Sequence, residues 1–156
     1  MGRMYSVEFE NVAVIAAQDF FELTPAANKP CAIHAIFLSQ STETGDAAEE
    51  MLRVKIIRGF ATTGSGGGTS TPAPLNPIDT AAGATCKINN GTIASAGTPI
   101  DLHAEAFNVR TGWIYIPTPE MRPIVTSAQV LLVVQLMAAP GDSVTMGGTL
   151  YFEELT

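Results

Sequence analysis

Three polar side chains on one predicted strand have the residue types for chemistry. Asp101, His103 and Glu105 alternate along residues 100–110, so a regular strand would point all three to the same face. One imidazole and two carboxylates could bind a divalent metal. Residues two apart on a strand are separated by about 7 Å, so three in a row rarely converge on one ion. We therefore favour a solvated or interface face and expect no metal and no cofactor.

Nucleophilic and phosphate-transfer chemistry have little support. Serine, histidine and aspartate are all present, but no Gly-x-Ser-x-Gly elbow accompanies them. The run Gly66-Gly67-Gly68 lacks the Gly-Lys-Ser/Thr ending of a phosphate loop, and no helical pattern follows it. We expect the protein not to be an enzyme.

The elements that must position these residues are short strands. The 156 residues are 46% apolar and only 15% charged, and about eight or nine segments read as strands, with no long helix. This pattern predicts an all-β, antiparallel β-sandwich, with a jelly roll as first choice and a five-to-six-stranded barrel as second. We expect one β-sandwich domain over residues 18–156, with Asn90-Gly91 forming a two-residue hairpin turn between Ile88 and Ile93.

Residues 1–17 are predicted to be an N-terminal strand or arm. Tyr5, Val7 and Phe9 alternate with polar residues, as in a strand with one apolar face. Such a terminal strand could pair within its own sheet or with the sheet edge of another chain. In the second case, deletion of residues 1–10 should weaken attachment to a partner without unfolding the domain.

An extended loop is predicted over residues 59–84. It is rich in glycine and proline and carries a single charge, Asp79. A segment with so few apolar residues buries little surface of its own, and loops of this length are usually functional or disordered. We expect it to lie as an arm across a neighbouring subunit and to become ordered only in the assembly.

Trp113 and Tyr115 share one face of a predicted strand, while Ile114 and Ile116 share the other. An exposed aromatic pair could stack on a sugar, which gives the alternative function of a carbohydrate- or receptor-binding module. Packing in the core or against another subunit is the more common use of such a pair.

The two cysteines, Cys31 and Cys86, are not spaced as metal ligands. We expect two buried or half-buried thiols, with a disulfide formed outside the cell as the alternative.

The charge balance excludes two kinds of partner. Fifteen acidic and eight basic residues give a formal charge of −7. Binding to nucleic acid or to an anionic membrane needs clustered Lys and Arg, so we expect neither partner. The start of the chain has no signal-peptide pattern, and we expect synthesis in the host cytoplasm.

Several fragments together resemble small virion proteins of tailed phages and prophages, over about Phe21 to Phe152. The fragments are SQSTETGDAAEEMLR (Ser39–Arg53), GSGGGTSTPAPL (Gly64–Leu75), NNGTIASAGT (Asn89–Thr98), LHAEAFNVRTG (Leu102–Gly112) and AAPGDSVTMGGTLY (Ala138–Tyr151).

The resemblance implies a head decoration, or cement, protein. Such a protein is a β-rich module, here expected to be a homotrimer, that binds the major capsid protein on the outer capsid surface of the virion and stabilises the shell. The residues that we expect at the capsid or subunit interface are Tyr5, Val7, Phe9, Gly66, Gly67, Pro72, Pro74, Leu75, Trp113 and Tyr115.

Overall fold

The computed structural model describes residues 2–43 and 49–155, and the regular secondary structure of this part of the chain is nearly all β. Met1, at the start of the predicted arm, lies outside the described residues. The strands are β1 (Arg3–Val14), β2 (Gln18–Thr24), β3 (Cys31–Gln40), β4 (Met51–Phe60), β5 (Gly68–Ser70), β6 (Ala73–Pro74), β7 (Thr85–Asn90), β8 (Ile100–Asn108), β9 (Trp113–Tyr115), β10 (Ile124–Val125), β11 (Leu131–Leu136) and β12 (Val144–Glu154). Two 3₁₀ turns, Pro119–Met121 and Ser127–Gln129, are the helical elements of the described residues.

The strands form two antiparallel sheets that pack face to face. The first sheet has the order β10-β3-β12-β1-β6, and β9 also pairs with β3. The second sheet has the order β5-β7-β2-β11-β4-β8. The predicted antiparallel β-sandwich is therefore confirmed, while its assignment as a jelly roll stays a prediction.

One apolar core fills the space between the sheets. Alternating side chains of the long strands point into it, because successive residues of a strand face opposite sides. Tyr5 stacks on Phe152 with ring centroids 5.6 Å apart, and Phe9 contacts Phe20 and Phe21. Burying a side chain of this size contributes roughly 1.5–3 kcal/mol, so each of these aromatics adds substantially to the stability of the core.

The N-terminal strand lies in the interior of its sheet. β1 pairs with β12 along nearly its whole length and with β6 on the other side. Tyr5, Val7 and Phe9 are 0%, 1% and 5% exposed, so they face the protein's own core and are not available to another chain. Of the two alternatives for residues 1–17, the strand within its own sheet is the one found, and the arm that pairs with a neighbour is wrong, because this strand's apolar face is needed inside its own sandwich.

The Gly/Pro-rich loop is also held by its own chain. Within residues 59–84, β5 pairs with β7, β6 pairs with β1, and Leu75 N–H donates to the Met4 carbonyl at 2.9 Å. The prediction that this segment crosses a neighbouring subunit and orders only there is contradicted. Backbone hydrogen bonds replace the apolar contacts that its composition lacks.

A two-stranded ribbon crosses the outside of the second sheet. Residues 61–67 leave β4 toward β5, and residues 91–98 return from β7 to β8. Antiparallel bridges join Thr62 to Ser95 and Ser65 to Thr92. We call these two segments the strap. Because Asn90-Gly91 leads into the strap, the predicted two-residue hairpin at this position is wrong.

The strap covers a second, small core on the outer face of the second sheet. Ala94 packs there on Leu131 and Val133, with Phe60 beside them. This is why β11, which the strap crosses, is buried on both faces.

Candidate functional site

The three residues considered as metal ligands do not converge. β8 is bulged, so that Asp101 pairs with Ile57 while His103 pairs with Ile56. Consecutive residues of β4 face opposite sides, so the bulge turns Asp101 away from His103 and Glu105. The prediction that all three share a face is therefore wrong. Among the described residues, no group of three or more His, Cys, Asp or Glu side chains could hold a metal ion.

Asp101 belongs to the outer face of the second sheet, where Lys55 Nζ donates to its carboxylate at 2.6 Å. A groove of about 410 Å³ lies on the same face, with Lys55, Arg53, Ala104 and Met137 in its lining. Lys55 is already paired with Asp101, which leaves Arg53 and Glu105 as the other charged residues of the lining.

His103 and Glu105 instead join the aromatic pair of β9. Trp113 Nε1–H donates to Glu105 Oε2 at 2.8 Å, and His103 Nε2 lies 2.9 Å from the same oxygen. The hydrogen bond from Trp113, and then that with His103, lowers the pKa of Glu105. The cluster connects β8 to β9, so it ties together the free edges of the two sheets at one side of the sandwich.

Trp113 is therefore a packing residue. It is 3% exposed and its ring stacks on Phe107, His103 and Tyr115 at centroid distances of 6.4, 6.1 and 5.7 Å. Tyr115 is half-buried, and burial raises its pKa. Stacking on a sugar needs an exposed ring, and contact with another chain needs an exposed side chain. Trp113 is too buried for either role in this conformation.

The opposite side of the same strand is exposed and apolar. Ile114 and Ile116 are each 66% exposed, Met121 is 67% exposed and Ile124 is 42% exposed. All four belong to residues 114–124, whose two ends pair with β3 through β9 and β10, and we call them the apolar ridge.

The apolar ridge extends along one edge of the first sheet. Ile114 pairs with Phe37 and Ile124 with Ala32, five residues apart on β3. At about 3.3 Å per residue, the two ends of the ridge lie roughly 17 Å apart. Phe37 and Tyr151, half-buried and packed edge to face, continue the apolar surface inward from Ile114. Contiguous exposed apolar surface of this kind marks interaction sites more often than isolated residues do.

Sequence reasoning selected the wrong side of this strand. The alternation of Trp113 and Tyr115 with Ile114 and Ile116 was visible, but it does not say which face meets the core. A signal did exist in the prolines at 117, 119 and 123, because proline is confined to sheet edges and bulges. Neighbouring strands cover an apolar residue less well at a sheet edge, so the prolines indicated that Ile114 and Ile116 could be exposed.

The predicted interface residues of the loop differ in exposure. Gly66 and Gly67 are exposed, Pro74 is half-buried and Pro72 is buried. Leu75 is 51% exposed and lies beside β6, at the sheet edge away from the ridge. These residues do not form one patch with the ridge.

Both cysteines are free and fully buried, as the sequence predicted. Burial, with a smaller effect from Glu154, raises the pKa of Cys31 to about 12, and burial also raises the pKa of Cys86. Only the thiolate attacks Ellman's reagent, and buried thiols with raised pKa values supply little thiolate at pH 8. We therefore expect fewer than about 0.1 equivalents of thiol to react in the native protein. Unfolding in guanidinium should release about two equivalents. Fast reaction of either native thiol would contradict the burial.

No family model, curated protein or solved structure matches the chain. Among the described residues, no helix has the length and apolar character needed to cross a membrane.

Proposed function

We propose that this protein is a phage capsid decoration protein that binds the outer surface of the shell through the apolar ridge. The observation that carries the proposal is the ridge itself, in which Ile114, Ile116, Met121 and Ile124 are exposed together on one sheet edge. Large apolar side chains at the centre of an interface contribute much of its binding energy. The resemblance to head decoration proteins supports the choice of the major capsid protein as the partner.

The charge and the strand order are consistent with this role. A formal charge of −7 is compatible with a neutral or basic partner surface. The orders β9-β3-β12-β1 and β8-β4-β11-β2 support a jelly roll, which is common among virion proteins. The homotrimer implied by the resemblance is part of the proposal.

The mechanism is stabilisation by preferential binding. A protein that binds the assembled shell, and not its dissociated subunits, shifts the equilibrium toward the assembled state by mass action. Neither catalysis nor a cofactor is required. Pairing with β3 holds the backbone of Ile114 and Ile124 in place, so little backbone entropy is lost at these two positions on docking.

Charge introduced into the ridge should abolish attachment. We expect Ile114→Glu combined with Ile116→Glu to weaken binding to empty heads of the phage that carries the gene by at least about 100-fold, since burying an unpaired carboxylate is costly. Co-sedimentation of purified protein with the heads measures this. Thermal unfolding of the isolated variant should change little, because both isoleucines are 66% exposed.

Ile78→Glu is the matched control. Ile78 is 86% exposed but follows β6, at the opposite edge of the first sheet. It should bind like the unmodified protein. Equal binding by the ridge variant and the control would refute the proposed surface. The alternative is that the ridge joins copies of this chain. Light scattering, which measures the molar mass of each variant, tests it, because loss of a trimer on ridge substitution would assign the ridge to such contacts.

A further inference from the structure

Two carboxyl groups are buried beneath the strap. Asp19 is 0% exposed and Glu22 is 1% exposed. They lie three residues apart on β2, which regular alternation would put on opposite faces. A bulge brings them together, because Phe21 pairs with Val134 while Asp19 pairs with Gln135. Phe20 and Phe21 consequently both enter the core, and both carboxyl groups face the strap.

Each carboxyl group holds a different segment of the strap. Gly64 N–H donates to both oxygens of Glu22, at 2.9 and 3.0 Å. Ala94 N–H donates to Asp19 Oδ2 at 2.6 Å, and Gln135 Nε2 donates to Oδ1 at 2.8 Å. The strap is thus attached to the sheet at its two sides by acceptors that are adjacent in space.

No basic side chain among the described residues forms an ion pair with either carboxyl group. On β7, Lys87 pairs in register with Glu22, but its Nζ donates to Thr63 and to the Gly64 carbonyl. On β4, Lys55 is beside Gln135, but its Nζ donates to Asp101. The strap segments and β11 carry no titratable side chain. Two buried negative charges would therefore repel each other without a paired cation, and only the N–H donors of Gly64, Ala94 and Gln135 would offset that repulsion.

Protonation of Asp19 would remove one of the two negative charges and so relieve the repulsion. Burial, together with the hydrogen bond to Glu22, raises the pKa of Asp19 from 3.8 to about 7. A carboxyl whose folded pKa is raised stabilises the fold fully below its unfolded pKa, and that contribution is lost as the pH rises through the folded value. The relevant window is thus from about pH 4 to about pH 7.

We propose that Asp19, packed beside Glu22, forms a pH-sensitive lock, which holds the strap closed while Asp19 is protonated and releases it when Asp19 ionises. Release uncovers Leu131 and Val133, which the closed strap buries. This device is independent of the apolar ridge, which lies on the other sheet.

Amide hydrogen exchange of the full chain tests the lock. After correction for intrinsic rates, protection of the Gly64 and Ala94 amides should fall at least tenfold between pH 5.5 and pH 8.5. The Ile33 amide is the reference, because it donates to the Pro123 carbonyl at 2.9 Å in the first sheet. Protection of Gly64 and Ala94 that stays constant relative to Ile33 would overturn the proposal.

Two variants assign the effect to the pair. Glu22→Gln retains an acceptor for Gly64 and supplies a donor to Asp19, so it should keep the strap closed and reduce the pH-dependent change to less than twofold. Asp19→Asn should do the same. Glu8→Gln, at an exposed carboxyl on β1, should retain the change of the unmodified protein. A folded Glu22→Gln or Asp19→Asn variant that keeps the full pH-dependent fall in protection would refute the assignment to this pair. If neither variant folds, amide exchange in the unmodified protein decides.

Discussion

Deletion of residues 1–10 is expected to abolish folding. The deletion removes Tyr5, Val7 and Phe9 from the core and leaves one side of β12 without its partner. At roughly 1.5–3 kcal/mol for each large buried side chain, the lost burial alone approaches the 5–15 kcal/mol that holds a typical domain together. Circular dichroism should show no cooperative thermal transition for the truncated chain.

Tyr5→Phe is the control for this deletion. It removes only the hydroxyl, which donates to the Thr80 carbonyl at 3.0 Å, and keeps the ring against Phe152. We expect a loss of about 1 kcal/mol and a transition of unchanged cooperativity. A truncated chain that melts cooperatively near the temperature of the full-length protein would restore the arm hypothesis and contradict the position of β1.

Gly64→Ala should produce the second large effect. A Cβ at this position would lie 2.0 Å from the Thr92 carbonyl oxygen and 2.6 Å from Glu22 Oε1. The two strap segments must separate to admit it, and the hydrogen bonds from Gly64 N–H to Glu22 are then lost. Overpacking and an unsatisfied buried carboxyl together should cost about 3 kcal/mol, measured by urea unfolding.

Gly91→Ala provides a matched glycine in the same strap. A Cβ there has no heavy atom within 4 Å, and we expect a change of less than about 0.5 kcal/mol. Equal destabilisation by both variants would mean that Gly64 contributes through chain flexibility and not through close approach. Loss of stability confined to Gly64→Ala would support the packing of the strap on the sheet.

Much of the fold could be predicted from alternation. Period-two patterns located most of the long strands, and the absence of any long helical pattern indicated a sandwich. Bulges could not be predicted in the same way, because an extra residue leaves no mark in residue type. The bulge in β2 brings Asp19 and Glu22 to one face, and the bulge in β8 separates Asp101 from His103. In both strands the candidate chemistry depended on the bulge.

Composition was a poor guide to the Gly/Pro-rich loop. Few apolar residues and many glycines indicated a segment unable to order itself. The segment is ordered here through backbone bridges such as Thr62 to Ser95, and its glycines permit close approach. Hydrogen bonds between distant segments are not encoded by local composition, so sequence reasoning mistook a strap for an arm.

The sequence by itself determined the all-β class, the buried thiols and the acidic charge, because these follow from residue types and their local period. Only the tertiary structure decided which face of each strand meets the core. Burial depends on which strands lie beside and above it, and this is a property of topology. For that reason the candidate site moved from Trp113 and Tyr115 to Ile114 and Ile116 on the same strand. The proposed lock at Asp19 and Glu22 depends on topology in the same way, since it requires β2 and the two strap segments to meet.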